Sequence, residues 1–128
     1  AALTINQGIG LLAALARTHN LPLLFVFQPN PTELFTELDN IYTLSVKHCS
    51  QMGYPYAVIK PCMAQPPITP QNLTHYYWPL DGHYKAAGYN ILAQCVYVAL
   101  MQKGLLPTKG RAAGTLPKTN ALCVNAPY

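Results

Sequence analysis

Apolar residues fall into two alternating patterns along the chain. Between positions 4 and 18, Ile5, Ile9, Leu12, Ala13 and Ala16 recur at steps of three and four. That spacing predicts a helix burying one face, and His19-Asn20 reads as its stop. The next run, Leu21-Pro22-Leu23-Leu24-Phe25-Val26-Phe27, has no period. A continuous apolar stretch of this length predicts a strand buried on both faces, as in a parallel sheet. It ends at Gln28-Pro29-Asn30-Pro31, where two prolines force a loop at the strand end that normally carries α/β ligand sites.

The pattern then repeats. Acids in Thr32-Glu33-Leu34-Phe35-Thr36-Glu37 suit the first turn of a helix. A helix is predicted over much of 39–51, stopping at Gly53, and Tyr56-Ala57-Val58-Ile59 is a second short strand ended by Lys60-Pro61. Residues 62–79, rich in Pro, Thr and Gln, read as a loop. A last helix is predicted from about 86 to 102, with Ile91, Leu92, Cys95, Val96 and Ala99 on one face and Gly104 and Pro107 beyond its end. No internal repeat is present.

The order helix, strand, helix, strand, helix predicts an α/β fold with too few strands. Two strands leave both edges of a parallel sheet open and its faces half covered. Residues 1–103 therefore read as the second half of a doubly wound domain, and 104–128 as an extended basic tail. The expected partner is another polypeptide, or an N-terminal segment, that completes the sheet.

Composition refines this picture. At 128 residues, 51% of them hydrophobic, the chain suits one ordered domain. Only 9% of residues are charged, against about 25% in an ordinary domain. So few charges point to a covered surface or an exported environment. The net charge of +4 reflects scarce acids: Glu33, Glu37, Asp39 and Asp81. Lys103, Lys109, Arg111 and Lys118 lie beyond the last predicted helix, without the aromatic interleaving of a nucleic-acid site, so no nucleic-acid partner is expected. No run reaches the roughly 18 apolar residues of a transmembrane segment. The start Ala1-Ala2-Leu3 fits a cleaved signal or propeptide, or a piece of a longer precursor. Cys49, Cys62, Cys95 and Cys123 lack C-x-x-C spacing, which argues against zinc and haem attachment and leaves disulfides and buried thiols both open. Asn72-Leu73-Thr74 is an N-glycosylation sequon and adds slight support for export, whether secreted, periplasmic or lumenal.

Candidate chemistry concentrates in Tyr76-Tyr77-Trp78-Pro79-Leu80-Asp81-Gly82-His83-Tyr84-Lys85-Ala86-Ala87-Gly88-Tyr89. One of two aspartates and one of four histidines stand here two residues apart, between an aromatic loop and a helix start. A carboxylate can fix an imidazole's tautomer and orientation, and the imidazole can take a proton from a nucleophile. Together with the helix carrying Leu15-Ala16-Arg17, the strand Leu23-Leu24-Phe25-Val26-Phe27-Gln28-Pro29, the strand residues Val58-Ile59 and the final helix, this stretch resembles the C-terminal half of SGNH/GDSL-type hydrolases. The resemblance covers about 4–102, and its specific part is the Asp81–His83 loop. It implies a flavodoxin-like three-layer α/β/α fold of which only the C-terminal half lies here. It also implies an ester hydrolase or O-acyltransferase with His83 as base and Asp81 as its orienter, and no cofactor. The family's Ser, Gly and Asn blocks would lie in an upstream segment. Its commonest spacing is Asp-x-x-His where this chain has Asp-x-His, and Tyr84-Lys85 stands where Trp-Asn or Pro-Asn is usual.

Plainer readings stand beside these. Asp81 is a good residue for capping the last helix, with His83 simply at the surface. Ser45 and Ser50 lie in no nucleophile-elbow context, and adjacent His48 and Cys49 would point apart on a helix. His75 could join His83 at a metal, on weak spacing. Tyr76, Tyr77, Trp78 and Tyr84 could line an acyl or sugar pocket, or pack the loop onto the sheet.

Overall fold

Residues 2–36 and 42–106 are described in the computed structural model. They form α1 (Ala2–Thr18), β1 (Phe25–Phe27), α2 (Thr43–Met52), β2 (Tyr56–Val58), α3 (Lys60–Met63), α4 (Leu73–Tyr76) and α5 (Ala86–Gln102). A 3-10 turn at Pro70–Asn72 leads into α4. The predicted residues Glu37 and Asp39, and the tail from 107 onward with Lys109, Arg111, Lys118 and Cys123, lie outside the described residues.

The three long helices end in one device. A residue with positive φ (Asn20, Gly53 or Gly104) reverses the chain. Its own amide and the next one return to the last turn, as in Asn20 N–H to Arg17 O at 3.2 Å and Leu21 N–H to Ala16 O at 2.8 Å. This satisfies carbonyls that a helix end otherwise leaves unpaired.

Strands β1 and β2 pair in parallel, with Phe25 opposite Tyr56, Val26 opposite Ala57 and Phe27 opposite Val58. Amide bonds from Phe25 to Pro55 O and from Ile59 to Phe27 O extend the ladder at each end. The first strand is shorter than the apolar run predicted. Leu21 spends its N–H on the α1 terminus and Pro22 has none, so the chain becomes a strand only at Phe25.

Alternation along these strands separates two apolar clusters, one on each face of the sheet. Phe25, Phe27, Tyr56 and Val58 pack with Ile9 of α1 and with Val46 and Cys49 of α2. Val26 belongs to the other cluster, with Leu34, Ile59, Met63, Ile68, Tyr77 and Cys95. A disulfide between Cys62 and Cys95 ties α3 to α5 within that cluster, while Cys49 remains a buried free thiol. The chain is thus a mixed α/β protein built on a small parallel sheet.

Two local expectations are corrected. The stretch 62–79 is not a plain loop, since α3, the 3-10 turn and α4 occupy much of it. Pro61 and Pro70 sit in first turns, where a missing N–H costs nothing. Thr69 and Asn72 cap the 3-10 turn reciprocally. At 32–36 the chain forms turns and no helix is assigned. Lys103 directly follows α5, with Nζ 5.7 Å from the Tyr56 ring centre.

Candidate active site

Residues 76–85 form a closed turn. Tyr77 and Tyr84 make an antiparallel bridge, Lys85 N–H reaches Tyr76 O at 2.8 Å, and Trp78 N–H reaches His83 O at 2.8 Å. Inside it, Gly82 N–H returns to Trp78 O at 3.0 Å. Gly82 adopts φ 70°, and a Cβ there would stand 3.3 Å from Pro31 Cδ. Glycine is thus the residue that fits between Asp81 and His83.

The bend brings the two side chains together. Asp81 Oδ1 accepts the His83 backbone N–H at 3.0 Å, and Oδ2 lies 3.2 Å from His83 Nδ1. The His83 N–H, followed by the imidazole, holds the Asp81 carboxyl below its ordinary range. Both side chains are open to solvent, His83 at 74% and Asp81 at 58%. With Nδ1 facing the carboxylate, Nε2 is the ring nitrogen left for a substrate or nucleophile.

Asp81 does not cap α5. That helix starts after Lys85 and has no side-chain cap, so the plainer reading of Asp81 is displaced by an Asx turn closed onto His83.

The Asp81–His83 turn meets the loop that leaves β1. Tyr84 Oη donates to Pro29 O at 3.4 Å, and His83 opens into a cleft of about 250 Å³ shared with Gln28, Asn30, Tyr42 and Tyr89. The pair therefore lies beyond the C-terminal end of β1, the end where α/β sheets bind ligands. A second cleft, of about 350 Å³, lies along the same turn and is lined by Leu73, Thr74, Tyr77, Trp78 and Leu80. Asn30, Asp81 and Gly82 border both clefts.

Of the aromatic cluster, Tyr76, Tyr77 and Tyr84 are core residues, and only Trp78 is left 55% exposed. Burial pushes the Tyr84 phenol well above its usual range and raises that of Tyr77, so both stay neutral near pH 7. Ser45 is buried within α2 and Ser50 is on the same helix; neither lines the His83 cleft. His48 packs edge-on against Tyr54, and burial raises the Cys49 thiol, which leaves no Cys-His dyad there. His75 stands edge-on to Tyr76. Among the described residues, no group of three or more His, Cys, Asp or Glu gathers as a metal site would require.

Asn30 is the site residue that the sequence pattern missed. Its Oδ1 accepts the N–H groups of Thr32 and Glu33, each at 3.0 Å, while Glu33 Oε2 accepts the Asn30 N–H at 3.0 Å. This is the reciprocal capping pattern of a helix start. The signal was present in the Asn30-x-x-Glu33 spacing, but the prolines on either side of Asn30 drew attention to loop formation instead.

Comparison with protein-family models, with curated proteins and with solved structures gives no match. Among the described residues, no helix is long and apolar enough to cross a membrane. The Cys62–Cys95 disulfide is compatible with an extracellular location.

Proposed function

We propose that this chain is the C-terminal portion of an SGNH-type serine esterase or O-acyltransferase, completed by an upstream segment or partner that carries the nucleophile. The observation that carries this reading is the Asp81 carboxylate 3.2 Å from His83 Nδ1, next to the loop that leaves a parallel strand. In the completed site a serine hydroxyl attacks the ester carbonyl while His83 Nε2 takes its proton. The imidazolium, stabilised by Asp81, returns that proton to the leaving alcohol. Water or an acceptor alcohol then releases the acyl group by the reverse proton path. Donors for the oxyanion come from the completing segment.

Completion of the sheet follows from the same reading, within a flavodoxin-like three-layer fold. Phe25 and Phe27 spend their backbone groups on β2, so Val26 turns its N–H and C=O toward the other edge. On α1, Leu3 and Leu11 are more than 70% exposed, and Leu12 and Leu15 are 54% exposed. A parallel strand beside β1, with a helix against these leucines, would cover both. An exported setting suits the disulfide.

The second reading is a non-catalytic SGNH-like subunit of a larger assembly. The exposed α1 leucines favour it, since they mark an interface whatever the chemistry. Co-expression with a serine-bearing segment separates the two. Hydrolysis of a short-chain aryl ester that depends on both that serine and His83 is the expected result. A stable complex without turnover would leave the assembly reading in place and sink the enzyme.

A further inference from the structure

We propose that the cleft between α4 and residues 78–82 is a subsite for a neutral saccharide ring stacked on Trp78. The inference rests on the ester-hydrolase reading only for what the ring is attached to; binding itself needs no catalysis.

Trp78 is the one large aromatic side chain in the 76–85 turn that remains mostly exposed. Yet it is fixed. Its N–H and C=O are both bonded within the turn, and Lys85 Nζ sits 4.6 Å from the indole centre while donating to Thr74 O at 2.7 Å. Lys85 Nζ lies over the indole, and Trp78 lines the cleft while Lys85 does not. A tryptophan held by its backbone and by this contact loses less entropy when a ring stacks on it.

The lining selects the ligand. Asp81 is the one charged residue in the lining, and the nearby Lys85 ammonium is engaged by the Thr74 carbonyl and the Trp78 ring, so the cleft favours a neutral ligand over an anion. Thr74 and Thr32 offer hydroxyls, and the Asn30 Oδ1 is held by Thr32 and Glu33, leaving its amide nitrogen as a donor. An acyl chain gains nothing from such a rim and needs closed apolar walls, whereas Leu80 at this cleft is fully exposed. A sugar ring has both an apolar face for the indole and hydroxyls for the rim. The volume, about 350 Å³, is in the ligand range. Asp81 and Gly82 also wall the His83 cleft, so a ring seated here is held at a fixed offset from the imidazole.

Trp78 is the only tryptophan, which makes the test direct. Neutral xylo-, cello-, manno- and chito-oligosaccharides are titrated while indole emission is followed. If the chain is soluble only with its completing polypeptide, the signal is taken as the difference from Trp78→Phe. At least one series should give a saturable change, weakened about tenfold or more by Asn30→Ala or Thr74→Val, as loss of a polar contact predicts. His83→Ala should bind as the parent does. Binding by the chain assembled with its serine-bearing segment, without any esterase activity, would remove the enzyme reading and leave the subsite standing. A response to octanol with none to saccharides, tighter binding of oligogalacturonate, or no response at all would each overturn the proposal.

Discussion

On an extended backbone, residues two apart point to the same side but about two Cα steps apart, too far for a carboxylate to clasp an imidazole ring closely. Gly82 closes that gap, and the sequence shows why only in retrospect: its left-handed φ is invisible until the turn is built. Gly82→Ala should destabilise the chain by about 1–2 kcal/mol, because an alanine there meets both the left-handed penalty and Pro31. Thermal unfolding checks this, and an unchanged midpoint would show that the turn can relax. Asp81→Asn separates turn from charge. Asparagine keeps an oxygen for the His83 N–H but lacks the carboxylate at Nδ1, so in the completed enzyme activity should fall about 10²–10⁴-fold with the fold intact. A loss under threefold would mean that His83 needs no orienter. The pH dependence has a definite sign. Asp81 is held below its ordinary value of 3.8, so its contribution to the turn is complete above that value and fades as pH falls through the lowered one. The step in the His83 amide shift that follows Asp81 in an NMR titration should therefore have its midpoint on the acid side of 3.8.

Among the elements, α5 was the most legible: its predicted and observed bounds agree, because a long apolar stripe ends in a glycine stop. The Gly53 stop of α2 was equally readable. Helix α1 was placed correctly but its buried face was not. Ile9 and Ala16 are buried, while Ile5 and Leu12 of the same expected stripe are exposed, since α1 is apolar around too much of its circumference for periodicity to choose. The short α3 and α4 turns escaped because four residues carry no period. The packing of α4 against α5 depends on Gly88, where a Cβ would collide with the Tyr76 carbonyl and stand 3.0 Å from Tyr84 Cδ1. In an open helix, Gly→Ala gains up to about 1 kcal/mol. Here the obstacle is backbone, so Gly88→Ala should lose about 1–3 kcal/mol net, read from the denaturation midpoint. The Cys62–Cys95 bond pins α3 to α5 across 33 residues, and loop-closure entropy puts its contribution at about 3–4 kcal/mol. Cys95→Ala should lower stability by roughly that amount, less any structure retained in the unfolded chain; no loss would show that the two thiols are not bonded in solution.

At the scale of the whole molecule, the chain has two orders of structure that disagree. Locally it is consistent, with hydrogen-bonded helix C-termini, two separate apolar clusters and a disulfide. Among the described residues, one edge of β1 pairs with no strand and the α1 leucines are exposed. The shortness of the sheet was legible, because the sequence carries two apolar strands; which apolar surface of the described residues is exposed was not, because that depends on the α1 rotation. If the completing polypeptide binds where Val26 and α1 are open, charges on α1 should act in opposite directions on two measurements. Leu11→Lys with Leu15→Lys should make the isolated chain more soluble, since a patch of this kind otherwise drives self-association. The same pair should abolish assembly with the serine-bearing segment, and with it any ester hydrolysis, although both positions lie outside the His83 cleft. Sedimentation measures the first effect, and pull-down with aryl-ester turnover measures the second. Improved solubility with assembly unharmed would place the partner elsewhere. Unchanged solubility would mean that the leucines are already covered within the chain itself, and the half-domain reading would then fail at its physical root.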